Sequence, residues 1–377
     1  MGECLATIND GNVRAYCINT NTRDVELSVS PITLEEFETI KSTSGLRKED
    51  DTESNQEITL TDRFKELIKE LHLANLNTEE KKSLLRIIAK FPYQFFLNGD
   101  KLGFTNVIKH KINTLDNEPV KRSNYRYPVV HKEVIAGETA KLKDYDAISP
   151  SNSAYNSPVW VVPKKPDSQG NKKWRMVIDY RALNEKTVGD AYPLPNITDI
   201  LDQLGGAQYF TVLDLASGFH QIEIDPADRH KTAFSTLFEH VEFNRMPFGL
   251  KSAPATFQRM MDTVLSGLQG VEMFVYMDDI VIYAKSIQEH NEKLGKLLGR
   301  LKTARLVLQP DKCRFLCKEI GYLGHIISKD GVKPDPNKIE AVSKFPRPRG
   351  RKNVTQFLGL AGYYRRFISD FLKSLNP

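Results

Sequence analysis

The 377-residue sequence contains few cysteines. They are Cys4, Cys17, Cys313 and Cys317, and the last two lie four residues apart without a second close Cys or His pair. Because structural zinc ligands usually come in tighter pairs, this spacing argues against a zinc site. So few cysteines are also typical of the reducing environment inside a cell.

Long apolar runs are absent as well. No stretch of eighteen apolar residues occurs, so we expect no membrane-spanning helix. The opening MGECLATINDGN lacks the basic-then-apolar layout of a signal peptide. It matches the myristoylation pattern only in part, because Ala6 stands where that pattern requires Ser or Thr. These absences predict an intracellular protein without a membrane partner.

An excess of one charge is also lacking, since 53 Lys and Arg stand against 48 Asp and Glu, a net charge of +5. Two local clusters of Lys and Arg are more informative than the net charge. One surrounds a short loop and comprises Lys164, Lys165, Lys172, Lys173 and Arg175, and a second comprises Arg347, Arg349, Arg351 and Lys352. Such patches suit phosphate backbones, although a solvated charged face explains each cluster equally well when taken alone.

Periodicity and turn residues predict a mixed order of helices and hairpins. Helices are predicted over 64–71, from 78 after a capping box of Asn77 and Glu80, and over 257–268, 287–301 and 356–371. Strands are predicted over 25–29, 102–112, 159–162, 174–180 and 209–215, and hairpins over 273–283 and 321–328. This order indicates an α+β fold, with a charged linker at 47–57.

Two acidic segments stand out from apolar surroundings. Asp278 and Asp279 interrupt a hairpin that is otherwise apolar, and Asp214 ends the strand Phe210–Leu215. Taken singly, an Asp-Asp turn or a strand-end Asp is most simply a turn or capping residue. However, burying carboxylates is costly unless a positive group compensates for it. Together, the three aspartates form the layout that holds two divalent cations for an in-line displacement.

An ordered set of motifs runs from about residue 105 to the end of the chain. It comprises VWVVPKK (159–165), WRMVIDYRALN (174–184), YPLP (192–195), LDLASGFHQI (213–222), KTAF (231–234), MPFGL (246–250), APATFQ (253–258), YMDD (276–279), YLGH (322–325) and FLGLAGYYRRF (357–367). This order resembles the reverse transcriptase of gypsy-type long-terminal-repeat retrotransposons, which is related to retroviral polymerases. The resemblance implies a right-hand polymerase fold with fingers, palm and partial thumb.

The resemblance also implies a domain division. Residues 1–45 would be a small β-rich segment that follows a missing aspartic protease, and 46–104 a linker and helical segment. Residues 105–325 would form the fingers and palm, and 326–377 a partial thumb or connection. We therefore expect a piece of a Pol polyprotein whose protease, ribonuclease H and integrase lie outside this chain.

Specific residues acquire expected roles from the resemblance. Asp214, Asp278 and Asp279 would bind two Mg²⁺ ions, with Mn²⁺ as a substitute, and catalyse the copying of template RNA, and also of template DNA, into DNA. The nucleotide would contact Arg175, Lys164 or Lys165, Phe219 beside the sugar, and Phe248. The primer terminus would lie near Tyr276, Met277 and the hairpin of Tyr322, Leu323, Gly324 and His325. Without the resemblance, core packing is the favoured explanation of Phe219. A cross-strand salt bridge for Arg175, core packing for Met277 and a tight turn for Gly324 are alternatives.

The implied partners are an RNA template, a DNA primer and dNTPs, with tRNA and other primers left open. The implied location is the cytoplasm, in a virus-like particle, with access to the nucleus. Two departures raise the alternative of a decayed or domesticated copy that only binds nucleic acid. Residues 239–243 are EHVEF where related sequences usually have GHYEF, and residues 144–148 are DYDAI in place of a more usual Gly-Ile-Ile pattern. The other alternative is an RNA-dependent RNA polymerase, against which Phe219 argues.

Overall fold

The computed structural model describes residues 6–9, 12–15, 61–163 and 174–371. Contacts divide the chain into residues 1–57 and residues 58–377. In the first unit, the backbone of β1 (Ala6–Asn9) pairs antiparallel with that of β2 (Asn12–Ala15). The strand predicted at 25–29, the linker at 47–57 and the loop with Lys164 and Lys165 lie outside the described residues. The domain boundaries at 45, 104 and 325 stay predictions.

The second unit mixes helices and strands, as the sequence predicts. Its helices are α1 (Asp62–Glu70), α2 (Thr78–Ile88), α3 (Val129–Asp144), α4 (Arg181–Lys186), α5 (Ile197–Leu204), α6 (Ala253–Val264), α7 (Ile287–Thr303), α8 (Pro336–Ser343) and α9 (Arg351–Tyr363). Its strands are β3 (Lys109–His110), β4 (Ile148–Pro150), β5 (Val159–Pro163), β6 (Trp174–Ile178), β7 (Tyr209–Asp214), β8 (Glu223–Ile224), β9 (Phe234–Ser235), β10 (His240–Phe243), β11 (Met273–Tyr276), β12 (Asp279–Ala284), β13 (Arg314–Cys317), β14 (Glu319–Tyr322), β15 (His325–Ser328) and β16 (Gly331–Pro334). Among the described helices, none combines the length and apolar character that crossing a membrane requires.

The predicted capping box at the start of α2 is confirmed. The Asn77 side chain accepts a hydrogen bond from the Glu80 backbone N–H, and the Glu80 carboxylate accepts one from the Asn77 N–H. This reciprocal pair satisfies two donors that a helix start leaves free. Helix α2 then buries Leu84 and Ile88 in the same core as the central sheet.

The strand predicted over 102–112 is wrong except for Lys109–His110. The backbone before it is bonded by side chains and loops instead. The buried Arg245 guanidinium donates to the Gly103 carbonyl at 2.9 Å and to the Leu102 carbonyl at 3.4 Å. The Thr105 N–H donates to the Gln221 carbonyl. These contacts occupy backbone groups that a neighbouring strand would otherwise bind.

A four-stranded sheet of order β11-β12-β7-β13 lies at the centre of the second unit. One face carries Leu213 and Ile280, which lie in the core with α6 and α7. The opposite face carries Phe210 and Val281, which pack with α5 and the β14–β15 hairpin. The alternation predicted for β7 is therefore confirmed, and the strands that lead to Asp278 are covered on both faces.

The predicted C-terminal helix begins earlier and ends earlier than expected. Helix α9 spans Arg351–Tyr363, and a separate 3₁₀ turn covers Arg365–Phe367. The apolar periodicity continues through that turn, so periodicity alone places the helix end too late. The break puts Tyr363 and Tyr364 at a junction between two elements.

Burial of His110 gives the fold a pH dependence. Its ring lies within 2.8 Å of Thr256 Oγ1 and is 1% exposed, and burial lowers its pKa to about 4. Below the ordinary pKa of about 6.5, the unfolded chain binds a proton that the folded chain excludes. The stabilisation from neutral His110 is therefore complete above that value and is lost as pH falls towards 4.

We predict that the stability difference between wild type and His110→Asn changes by about 1.4 kcal/mol per pH unit between pH 6 and 4.5, with wild type losing stability faster. Urea unfolding at several pH values measures this difference. Taking the difference cancels the other titrating groups. Parallel pH profiles of the two proteins would contradict the prediction.

Candidate active site

The hairpin β11–β12 places two acidic residues at its tip. Tyr276 pairs with Asp279, so Met277 and Asp278 form a two-residue turn. Met277 has a φ of 56°, in the left-handed region that two-residue hairpin turns favour. Because a residue with a Cβ is strained there, the surrounding contacts must hold this turn in place.

Strand β7 brings the third aspartate next to this tip. In the antiparallel pair β12–β7, Asp214 lies directly opposite Asp279. Directly opposed residues have Cβ atoms about 4.5–5.5 Å apart and side chains on the same face. The register therefore places Asp214 within side-chain reach of the Asp278–Asp279 pair, although 64 residues separate Asp214 and Asp278 in sequence.

The Asp278 and Asp279 carboxyls lie in an environment that opposes negative charge. Burial first, and then the Asp214 and Asp279 carboxylates, raise the pKa of Asp278 to about 6. Burial and Asp214 also raise the pKa of Asp279. The Oδ1 atom of Asp278 is buried without a hydrogen-bond partner. A group of this kind requires a cation or a proton for compensation.

Lys312 supplies part of the positive charge at the site. Its Nζ atom lies 3.0 Å from Asp214 Oδ1, and its charge opposes the rise in the pKa of both Asp278 and Asp279. The 3₁₀ turn that carries Lys312 is bonded to β7, since the Gln309 N–H donates to the Asp214 carbonyl. In the described ranges, no three His, Cys, Asp or Glu side chains are already gathered tightly enough to form a metal cage.

Gly218 provides the space into which the Asp278 carboxylate fits. A Cβ atom on Gly218 would lie 3.0 Å from Asp278 Oδ1, 3.1 Å from the Phe257 ring and 3.3 Å from Leu215 Cβ. These distances are too short for an unstrained contact, so a side chain at this position would displace the carboxylate or the ring. Gly218 is therefore a residue of the site, because only a residue without a Cβ leaves the Asp278 carboxylate in this position.

The residues present fit a divalent cation site. Asp214 and Asp279 on two adjacent strands, and Asp278 in the turn before β12, supply the carboxylate oxygens that Mg²⁺ prefers. Asp278 Oδ1 has an unmet need for a positive partner, and Gly218 leaves room beside it. The ion pair between Lys312 and Asp214 is exposed enough, with Lys312 56% exposed, for the carboxylate to exchange partners.

Gln258 holds the turn from beneath, and the sequence reasoning gave it no role. Its side chain is fully buried, and its Oε1 accepts the Met277 N–H at 3.2 Å. Its Nε2 donates to Asp262 Oδ1 at 2.9 Å, and the Tyr192 hydroxyl donates to the other oxygen of Asp262 at 2.7 Å. The chain of contacts explains how the left-handed Met277 conformation is maintained.

We expect Gln258→Met to lower the free energy of unfolding by about 1–3 kcal/mol, because it removes the hydrogen-bond partners of the Met277 N–H and of Asp262 Oδ1. We also expect kcat for a reaction catalysed at the three aspartates to be about tenfold lower, since a small shift of the turn misplaces Asp278. Urea unfolding and steady-state kinetics measure the two effects. A loss of stability with an unchanged kcat would assign Gln258 to folding alone.

The described residues expected to contact a nucleotide lie in three segments: Phe219 in a 3₁₀ turn, Phe248 in the loop after β10, and Arg175 on β6. The Phe219 ring stacks on Phe248 with centroids 4.8 Å apart and tilts against Phe257 at 5.2 Å. Phe219 is 5% exposed, whereas Phe248 is 53% exposed. Arg175 is an exposed residue of β6, opposite Val162 on β5. The expected contacts of Lys164 and Lys165 fall outside the described residues.

The residues expected near a primer form the tip of the β14–β15 hairpin. Tyr322 pairs with His325, so Leu323 and Gly324 form the turn. Tyr322 packs in the same apolar cluster as Phe210 and Phe274 of the central sheet, and Tyr276 lies against that cluster. The hairpin and the aspartate-bearing strands are therefore joined through one layer of side chains.

Comparison with known proteins gives a consistent result. Residues 162–327 match the family model described as reverse transcriptase (RNA-dependent DNA polymerase). The chain is 47% identical over 308 residues to the retrovirus-related Pol polyprotein from transposon 297 of Drosophila melanogaster. The matched region covers 82% of this chain and 29% of that polyprotein. It is 42% identical to the corresponding polyprotein of transposon gypsy over 79% of this chain and 29% of that one. The chain thus spans less than a third of the length of these relatives.

Solved structures agree with the fold. The foamy viral protease-reverse transcriptase in complex with double-stranded DNA is similar with a TM-score of 0.71 and 28% identity, covering 83% of this chain and 53% of that one. Its complex with an RNA/DNA hybrid is similar with a TM-score of 0.67 over 81% of this chain and 40% of that one. The right-hand polymerase fold predicted from the sequence is therefore confirmed.

Proposed function

The chain belongs to the reverse transcriptase family, as found in the Pol polyproteins of gypsy-type transposons, and from this premise we propose that it copies an RNA template into DNA with two Mg²⁺ ions held by Asp214, Asp278 and Asp279. Mn²⁺ would substitute for Mg²⁺. The observation that carries the proposal is the register that sets Asp214 opposite Asp279, beside a buried Asp278 oxygen without a partner.

The chemistry is the transfer of a nucleotide to a primer end. The primer 3′-hydroxyl loses its proton to solvent, its oxygen forms a bond to the α-phosphorus of a dNTP, and the bond from that phosphorus to pyrophosphate breaks. Divalent ions bound at the three aspartates would stabilise the attacking and leaving oxygens. The Lys312 ammonium, 3.0 Å from Asp214 Oδ1, would supply positive charge beside the Asp214 carboxylate when no ion is bound.

The other site residues would align the substrates. Arg175, with its planar guanidinium, would bind two oxygens of the triphosphate at once, together with Lys164 or Lys165. The exposed Phe248 ring would pack against the nucleotide, supported by Phe219 beneath it. The turn of Leu323 and Gly324 would hold the primer end, and Tyr276 and Met277 would lie beside it. Catalysis would come mainly from positioning and charge neutralisation.

The proposed partners are an RNA template, a DNA primer and dNTPs. Reverse transcriptases bound to an RNA/DNA hybrid and to double-stranded DNA are among the similar structures, which supports nucleic acid as the partner class. We also propose the remaining Pol domains as partners. The proposed location is a cytoplasmic virus-like particle with access to the nucleus. The basic residues of the 347–352 segment would contribute salt-dependent affinity for the phosphate backbone.

We predict that Phe219→Val relaxes the choice of sugar. Phe219 would exclude a 2′-hydroxyl by contact, and a smaller side chain leaves room for it. The ratio of kcat/KM for dNTP to that for rNTP should fall by about 10-fold or more, a typical effect of removing a steric contact in a pocket. Single-nucleotide extension with dNTP and rNTP measures the ratio. An unchanged ratio would remove Phe219 from sugar selection and reopen the RNA polymerase alternative.

A binding-only copy is the second candidate function, and the departures from the family pattern are its motivation. Both are accommodated by the fold. Glu239 forms an ion pair with Lys143 at 2.7 Å. Asp146 has a φ of 52°, a left-handed conformation that Asp tolerates better than most residues. Neither residue lies at the three aspartates, so these departures do not favour loss of activity.

Primer extension on an RNA template separates these candidates. We expect the 377-residue chain to extend an annealed DNA primer with dNTPs in Mg²⁺, and extension to stop with EDTA. Extension with NTPs in place of dNTPs would identify an RNA polymerase. Template binding without any extension, in Mg²⁺ or Mn²⁺, would support the binding-only candidate and contradict the proposed function.

A further inference from the structure

The turn of the β14–β15 hairpin has an unusual backbone. Leu323 and Gly324 have φ values of 48° and 71°, so both residues of the turn are left-handed. Such a turn matches the twist of the strands, but a residue with a Cβ adopts it reluctantly. Leu323 therefore stays in this conformation only when other contacts hold it.

Two tyrosine hydroxyls bind the two carbonyls of this turn. The Tyr363 hydroxyl donates to the Leu323 carbonyl at 2.7 Å, and the Tyr364 hydroxyl donates to the Gly324 carbonyl at 3.2 Å. His325 Nδ1 lies 2.8 Å from the Leu323 carbonyl, so this ring nitrogen carries the hydrogen. Each turn carbonyl thus accepts a hydrogen bond from a tyrosine at the end of α9, 40 residues further along the chain.

The contact is close as well as hydrogen-bonded. A Cβ on Gly324 would lie 3.1 Å from the Tyr364 hydroxyl oxygen and 3.6 Å from the Tyr363 ring. The His325 ring, 2% exposed, lies with its centroid 5.4–5.6 Å from those of Tyr363, Tyr364 and Phe367. Only a glycine at 324 allows the tyrosines to approach the turn this closely.

The element that carries the tyrosines is itself anchored. Arg366 forms an ion pair of 2.7 Å with Asp202 of α5, and α5 packs against the same face of the central sheet as the hairpin. The junction of α9 and the 3₁₀ turn is therefore fixed to the hairpin and to α5. This arrangement connects the turn, through Tyr363 and Tyr364, to the layer that packs on the sheet bearing Asp214.

We propose that Tyr363 and Tyr364 are positioning residues that hold the Leu323–Gly324 turn in the geometry at which it receives the primer end, an inference that rests on the proposed function. The hydroxyls of both tyrosines act on the turn through their hydrogen bonds to its carbonyls. Tyr364 is 7% exposed, whereas Tyr363 is 44% exposed. The YYRR motif thereby acquires a role that the sequence alone does not assign.

The test uses Tyr363→Phe, Tyr364→Phe and the double variant in the full 377-residue chain, because each change removes only a hydroxyl. We expect each to lower the rate of primer extension at saturating dNTP by about 3- to 10-fold. This change in rate corresponds to the free energy that one hydrogen bond typically contributes. The KM for dNTP should not change, because the nucleotide contacts lie elsewhere. A 2-aminopurine at the primer 3′ end should report a displaced terminus in the double variant, while anisotropy gives overall affinity within twofold of wild type.

Tyr127→Phe is the matched control. The Tyr127 hydroxyl donates to the Val159 carbonyl at 3.0 Å, a bond of the same kind on β5. Its loss should lower stability comparably and leave the kinetics and the 2-aminopurine signal unchanged. Equal kinetics for the double variant and wild type, or equal losses for the double variant and Tyr127→Phe, would overturn the proposal.

Hydrogen exchange provides a readout that needs neither substrate nor activity. The peptide covering 322–335 should exchange faster in the double variant than in wild type and in Tyr127→Phe. If wild type extends no primer but this exchange difference appears, the proposed function fails while the tyrosines still hold the turn. If exchange at the turn does not change, the positioning role is wrong whatever the activity of the wild type.

Discussion

Asp278→Asn is expected to abolish Mg²⁺-dependent extension, lowering kcat by at least about 10³-fold, because metal stabilisation of the reacting oxygens contributes several kcal/mol. The substitution keeps the volume of the side chain and removes its charge. Asp214→Asn should have an effect of the same size, since register places it at the same cluster. Template–primer affinity should persist, since it would depend on the basic clusters and on salt.

The control for this prediction is Asp330→Asn, which changes an exposed aspartate in the β15–β16 turn. It should extend primers at the wild-type rate. Single-turnover extension and filter binding with the same template–primer measure rate and affinity separately. Extension by Asp278→Asn at the wild-type rate would refute the assignment of the metal ligands, and a parallel loss of binding would indicate misfolding instead.

Gly218→Ala is expected to have the second-largest effect. The new methyl group would lie 3.0 Å from Asp278 Oδ1 and 3.1 Å from Phe257. Forcing a methyl group into this space should lower the free energy of unfolding by about 1–3 kcal/mol. Because the carboxylate is the nearest atom, we expect it to move and kcat to fall by up to about 10²-fold, as misplacement at an active site does.

Gly295→Ala is the matched control for Gly218→Ala. Gly295 lies within α7, and a Cβ there would have no heavy atom within 4 Å. Alanine in a helix interior should raise the free energy of unfolding by about 0.5–1 kcal/mol without changing extension. Urea unfolding and extension rates at 25 °C compare the pair. Full activity of Gly218→Ala would show that the Asp278 carboxylate does not depend on the space beside Gly218.

Local patterns were sufficient to predict much of the fold. The alternation along β7, the apolar strands around Asp278 and the capping box at Asn77 each depend on neighbouring residues, and all three are confirmed. The segment 102–112 was predicted wrongly because its backbone is bonded by the Arg245 side chain, 143 residues away. No periodicity within the segment contains that information.

The candidate site likewise contains residues that the sequence indicates and residues whose roles depend on distant contacts. The three aspartates are prominent in the sequence because they interrupt apolar strands. Lys312, Gln258 and Tyr363 carry no such signal, since their roles arise from contacts with residues 98, 19 and 40 positions away. Gln258 and Tyr363 lie inside recognisable motifs, so the sequence marks these two positions. It does not indicate that they bind the Met277 N–H and the Leu323 carbonyl.

Anomalous diffraction from Mn²⁺ tests the central claim most directly. Crystals of the chain would be grown with an RNA template, a dideoxy-terminated primer, the next dNTP and Mn²⁺. We predict two anomalous peaks about 3.5–4 Å apart, contacted by carboxylate oxygens of Asp214 and of the Asp278–Asp279 pair. Peaks that leave Asp214 without a metal contact, or that lie away from this hairpin, would contradict the account.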